Sequence, residues 1–135
     1  MRLTIDSFAW IALVRGGPLG ARVRALIEES DTAFTPTIVL AEVAHRCLQD
    51  GLGEVQTRDE LSAIQEASVV VPLDPDLAIS ASVATGELRR KSTAERRRPA
   101  GLADGIVLAT ARRTESRVLT GDSHFRGLAE VVWLA

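Results

Sequence analysis

The sequence has no tyrosine, two tryptophans and three phenylalanines, so aromatic residues make up only 4% of 135. A nucleic-acid platform of stacked rings does not fit that supply, and Trp10 and Trp133 read as core residues. Cys47 is the only cysteine. It permits no internal disulfide and no Cys-x-x-Cys zinc site, and it fits a reducing cytoplasm. No run of about 18 apolar residues occurs, and the first residues lack a basic start followed by an apolar stretch. Neither a membrane span nor a signal peptide is expected. His-Glu-x-x-His is absent. "GGPLG", residues 16 to 20, lacks the Lys and Ser/Thr of a phosphate-binding loop and reads as a turn between helices.

What is present has an uneven charge. The net charge is −2, yet "RRKSTAERRR", residues 89 to 98, holds six basic residues and one acid. Ten basic and seventeen acidic residues lie elsewhere, a balance of −7. Within the basic segment Arg96, Arg97 and Arg98 are candidate RNA-phosphate contacts; a solvated helix end is the alternative.

The length suits one domain over residues 1–135. Apolar runs predict strands at 2–5, 33–35, 68–73, 116–122 and 130–134, with 68–73 buried. Helical patterns fall at 7–14, 21–30, 36–49 (with Pro36 in the first turn), 56–67, 74–91 and 102–113. Strands separated by helices mean an α/β fold with a mainly parallel sheet.

In such a sheet, ligands bind beyond the carboxyl ends of the strands. Asp6 follows the first strand and Asp122 the fourth. Asp104 lies in the first turn of the last helix. Glu42 lies mid-helix, opposite an apolar face read as Leu40, Ala44, Cys47 and Leu48. Each acid alone has a plain explanation as a cap, a turn residue or a surface charge. Those explanations leave unanswered why apolar strands end in acids. Asp74 and Asp76, split by Pro75, read as a helix start and not as a metal pair. His45 and His124 carry no convincing ligand pattern.

The order Asp6-Ser7 after a first strand, Glu42 on a helix, "LADGIVLATA" with Asp104, and "LTGDSHF" with Asp122 resembles the PIN domain. It resembles most closely the toxin nuclease of VapBC toxin–antitoxin pairs. Two positions depart from the commoner family pattern: Phe8 follows Ser7, and Gly105 follows Asp104. The resemblance implies a three-layer α/β/α fold around a mainly parallel sheet of four to five strands. It implies that Asp6, Glu42, Asp104 and Asp122 share one cleft and hold Mg²⁺ or Mn²⁺. Ser7 and Thr120 would support them. Two carboxylates 4 Å apart repel by about 4 kcal/mol at an effective dielectric of 20, so a cluster of four needs protons or a cation, and all-oxygen ligands suit these ions. The implied activity is metal-dependent endoribonuclease, leaving 5′-phosphate and 3′-hydroxyl ends and inhibiting translation. A VapB-like antitoxin and a homodimer are the implied partners. The rivals are a catalytically inactive PIN-fold binding module and a metal-dependent small-molecule phosphohydrolase.

Overall fold

A computed structural model describes residues 1–134; Ala135, the last position of the expected domain, lies outside the described residues. Five strands, β1 (Arg2–Ile5), β2 (Thr32–Pro36), β3 (Val69–Val71), β4 (Arg117–Thr120) and β5 (Val131–Trp133), form one sheet in the order β3-β2-β1-β4-β5. All four pairings are parallel. Six helices complete an α/β/α arrangement: α1 (Ser7–Arg15), α2 (Gly17–Glu29), α3 (Thr37–Gln49), α4 (Glu54–Ala67), α5 (Pro75–Ala94) and α6 (Leu102–Arg113). None is long and apolar enough to cross a membrane.

The central strands are covered on both faces, which parallel sheets require. Leu3, Thr4 and Ile5 of β1 and Val118, Leu119 and Thr120 of β4 are all buried. Trp10 joins this core and donates its indole N–H to Thr35 Oγ1 at 3.1 Å, so its one polar atom is satisfied.

Several expectations need correction. Residues 69–71 form a strand, but at the sheet edge, where Val69 is 53% exposed and not buried. Pro36 ends β2 and precedes α3 instead of entering it. Gly16 alone lies between α1 and α2, and the break is made by Gly16 and Gly17, with φ of +76° and +73°; "GPLG" is the first turn of α2. α5 runs on to Ala94. The buried face of α3 is Val39, Val43 and Cys47, whereas Leu48 is exposed. Trp133 is only partly buried, with the Arg126 guanidinium 5.8 Å from its ring centre.

Gly105 is explained by packing. A Cβ there would stand 1.9 Å from Thr85 Oγ1 and 2.6 Å from the Ala81 carbonyl oxygen on α5. Gly105→Ala is therefore expected to cost roughly 2 kcal/mol of stability in urea unfolding, an overpacking penalty. Adding Thr85→Ala should recover only part, because the Ala81 carbonyl stays. A neutral Gly105→Ala would show that α5 and α6 yield easily.

Candidate functional site

The sheet order places β1 between β2, the next strand in the chain, and β4, which the chain reaches last but one. The direction of winding reverses between β1 and β4. That reversal opens a crevice at the carboxyl ends of these two strands, the usual place for a ligand in an open parallel sheet. Asp6 leaves β1 here, and its backbone N–H donates to the Leu119 carbonyl at 3.2 Å, pinning the two strand ends together.

Each aspartate is held by its own backbone. Asp6 caps α1, with Oδ1 accepting from Ser7 N–H at 2.8 Å. Its Oδ2 accepts from Thr120 Oγ1 at 2.7 Å, and Thr120 Oγ1 in turn accepts from Asp122 N–H at 3.0 Å. Asp104 reaches back to Gly101 N–H through Oδ2 at 3.0 Å. Asp122 caps a 3₁₀ turn, Ser123–Phe125, by accepting from His124 N–H at 2.9 Å. Capping and clustering therefore coexist: a cap fixes the direction of a carboxylate, and lone pairs remain to face the crevice.

The charges of the four acids act on one another in a chain, and the ligand atoms of Asp104 and Asp122, with His124, fall within 4.8 Å of one another. Asp6, only 4% exposed, has its pKa pushed up to about 7, chiefly by burial and further by the charges of Glu42 and Asp104, against the Thr120 and Ser7 hydrogen bonds. Burial also raises Glu42, with Asp104 and Asp122 adding to the shift and the Ser7 side chain opposing it. Asp104 is raised by burial and by Asp122, while its backbone bond to Gly101 and the nearness of His124 act the other way. Ser7 N–H and the Thr120 hydroxyl both donate to the Asp6 carboxylate.

Among the described residues, no Arg or Lys forms an ion pair with any of these four acids. The acidic centre meets His124 instead, beside Asp104 and Asp122. Its donors are carboxylate oxygens with no cysteine, a set that fits a hard divalent ion such as Mg²⁺ or Mn²⁺. Asp74 lies outside this group: it caps α5 and pairs with Arg113 at 2.8 Å.

The basic segment is only partly free. Arg97 is engaged by the Glu95 carboxylate and the Ser123 carbonyl. Arg96 and Arg98 are exposed, and the Arg98 backbone carbonyl lies 3.0 Å from His124 Nε2. His124 is the residue that sequence reasoning missed. Its Nδ1 lies 3.0 Å from Asp122 Oδ1 and 3.5 Å from Asp104 Oδ2. The available signal was Asp-x-His in "GDSH", since one tight turn places both side chains on the same side. His45, by contrast, is exposed on α3.

Phe8 lines the approach to Asp122. A cleft of about 480 Å³ runs from Ser7 and Asp122 past Phe8 and Ile11 to Arg15 and Arg46. The Phe8 ring lies against Gly121, where a Cβ would come within 2.5 Å of it. An apolar wall ending in two arginines thus adjoins the acidic centre.

Residues 3–131 match the family described as PIN domain. No curated protein matches the sequence. Among solved structures, a toxin–antitoxin complex from Klebsiella pneumoniae is 22% identical, with 98% of each chain covered and a TM-score of 0.72. VapC20 of Mycobacterium tuberculosis, described as a sarcin–ricin-loop-cleaving toxin, is 19% identical over 96% of this chain and 98% of its own, with a TM-score of 0.73. VapBC2 from Rickettsia felis, bound to a promoter DNA fragment, is 15% identical over 98% and 97%, with a TM-score of 0.69. At these identities the likeness to each structure is one of fold. With the family match spanning nearly its whole length, the chain belongs to the PIN domain family.

Proposed function

We propose that this chain is a single nuclease domain that hydrolyses RNA phosphodiester bonds with Mg²⁺ or Mn²⁺, and that it is the toxin of a toxin–antitoxin pair. The observation that carries the activity is the acidic centre at the β1–β4 crevice, which has no Arg or Lys partner among the described residues. Asp6 and Asp104 would be the principal ligands, with Glu42 and Asp122 holding a second ion or orienting water. Bound there, the ion supplies Lewis-acid stabilisation of charge on the scissile phosphate and lowers the pKa of a water. The chain's own part is orientation. Thr120 and Ser7 N–H fix the Asp6 carboxylate, Gly101 N–H fixes Asp104, and the His124 amide fixes Asp122. The Phe8 wall and the arginines at the end of the cleft give a single strand an apolar edge and phosphate partners.

Toxin–antitoxin complexes among the similar folds support the toxin reading. A VapB-like antitoxin would silence the centre by covering its acids, and a homodimer and cytoplasmic action go with that reading. The direct test is cleavage of structured RNA by the purified chain, with Mg²⁺ or Mn²⁺ and then with EDTA. Ion-dependent cuts leaving 5′-phosphates are expected. Tight RNA binding without cleavage in either ion would make the chain a binding module instead.

The exposed arginines carry a separate prediction. Arg96→Gln and Arg98→Gln should each flatten the log–log salt dependence of RNA binding by roughly 0.7 to 0.9. Arg97→Gln should change it less, because that side chain is held by Glu95 and Ser123. An unchanged slope in the Arg96/Arg98 double variant would return the segment to a solvated helix end.

A further inference from the structure

The family's metal site is read from its acids, but this chain offers it something more. We propose that His124 Nδ1 is a nitrogen ligand of the same divalent-ion centre and that it biases the centre toward Mn²⁺ over Mg²⁺. The inference rests on the metal reading above and adds a donor to it.

The ring's protonation pattern follows from its contacts. Nε2 lies 3.0 Å from the Arg98 carbonyl oxygen, which can only accept, so Nε2 carries a proton. In the neutral ring, the form in which an imidazole binds a metal, Nδ1 is then a bare lone pair. That atom is buried and has no hydrogen-bond partner. Asp122 Oδ1 is 3.0 Å away but makes no hydrogen bond with it. A buried lone pair without a donor is costly, and a cation would satisfy it.

The spacing suits that role. One ligand atom from each of Asp104, Asp122 and His124 falls within a mutual distance of 4.8 Å. Two donors at right angles on an octahedral ion with bonds of about 2.1 Å lie roughly 3.0 Å apart. The Nδ1 to Asp122 Oδ1 separation has that value. The contact on the far side of the ring fits as well, since a metal-bound imidazole commonly donates its other N–H to a backbone carbonyl, which fixes tautomer and orientation. Here the Arg98 carbonyl takes that part, so the basic loop braces the centre.

The consequence is selectivity. Carboxylates bind Mg²⁺ and Mn²⁺ alike, but an imidazole nitrogen favours the transition ion. A ligand set of oxygens and one nitrogen therefore prefers Mn²⁺ more than the four acids alone would.

The test uses the untagged full chain with Mn²⁺ as probe. Pulsed electron paramagnetic resonance of bound Mn²⁺ should show ¹⁴N coupling from a directly bound imidazole. The coupling should persist in His45→Asn, the only other histidine, and vanish in His124→Asn. Calorimetric titration should show Mn²⁺ binding weakened about tenfold or more in His124→Asn, and Mg²⁺ binding by less than about threefold, because an oxygen donor replaces nitrogen. A wild-type spectrum without nitrogen coupling overturns the proposal without needing any variant. Equal weakening for both ions overturns it too, since that marks a structural role. If Mn²⁺ binds tightly with an oxygen-only spectrum, the metal reading stands and only His124 is lost. If Mn²⁺ does not bind the wild type at all, both fall.

Discussion

Asp6→Asn is expected to lower RNA cleavage by roughly a thousandfold, about 4 kcal/mol of transition-state stabilisation. The same variant should be more stable than the wild type in EDTA at pH 8. The opposite signs come from one carboxylate. Asp6 is buried, and its proton affinity is raised by burial and by Glu42 and Asp104. At pH 8 without metal the folded state must hold that charge inside. Asparagine keeps the shape, retains an oxygen for Ser7 N–H, and removes the charge. The Thr120 hydroxyl, which now donates to Asp6, can turn and accept from the new amide. What asparagine loses is the anion that would hold the ion. Measuring cleavage and urea unfolding on one preparation checks both halves. A variant that still cleaves would remove Asp6 from the metal centre. A variant destabilised in EDTA at pH 8 would mean that Asp6 serves mainly to cap α1.

The second large effect is in wild-type stability. In EDTA the protein should become less stable as pH rises from about 4 to 8. The folded-state pKa of Asp6 is near 7, against an ordinary 3.8. Between those values the folded chain keeps a proton that the unfolded chain has released, so raising the pH favours unfolding. A shift of roughly three pH units amounts to about 4 kcal/mol across that window. Glu42 and Asp104 are shifted the same way and steepen the fall. Asp74 works in the opposite sense. Arg113 holds its pKa at about 2, so its contribution is present above 3.8 and lost as pH drops toward 2. The expected optimum in EDTA lies near pH 4 to 5. Mg²⁺ or Mn²⁺ at neutral pH should reverse the loss, adding about 1.4 kcal/mol at tenfold over its dissociation constant. Asp104→Asn should blunt that gain while leaving the Gly101 cap in place. Urea unfolding in EDTA at several pH values, repeated with the ion, is sufficient. Stability that is flat or rising through pH 7 in EDTA would mean the acids are not crowded. Equal metal gains in wild type and Asp104→Asn would take Asp104 out of the centre.

Much of this was legible in the sequence because it is local or follows from burial. Strand-forming residues 2–5 and 117–120 can hide only between other elements, and alternation with helices makes the sheet parallel. Asp6 and Asp122 stand at the ends of such strands, so the position of two candidate site residues followed from chain order alone. The edge position of β3 did not, because Val69-Val70-Val71 reads the same in the middle of a sheet as at its rim. The buried face of α3 differs from the expected one for a related reason: several faces of that helix are apolar, and only its neighbours choose Val39, Val43 and Cys47. Asp104 could be read as a cap or as a ligand, and the fold makes it a cap that also faces the acidic centre.

Chain order and residue type by themselves determined the α/β class and the four candidate acids, since both depend on local pattern and on the cost of placing charge beside apolar strands. Tertiary structure alone decided which groups meet. The reversal of winding at β1 and β4 sets Thr120 on Asp6, although they are far apart in the chain. The packing of α5 on α6 requires Gly105 to lack a side chain. The Arg98 carbonyl turns the His124 ring so that Nδ1 faces the carboxylates. Contacts of that kind depend on distances across the fold, and no spacing along the chain encodes them.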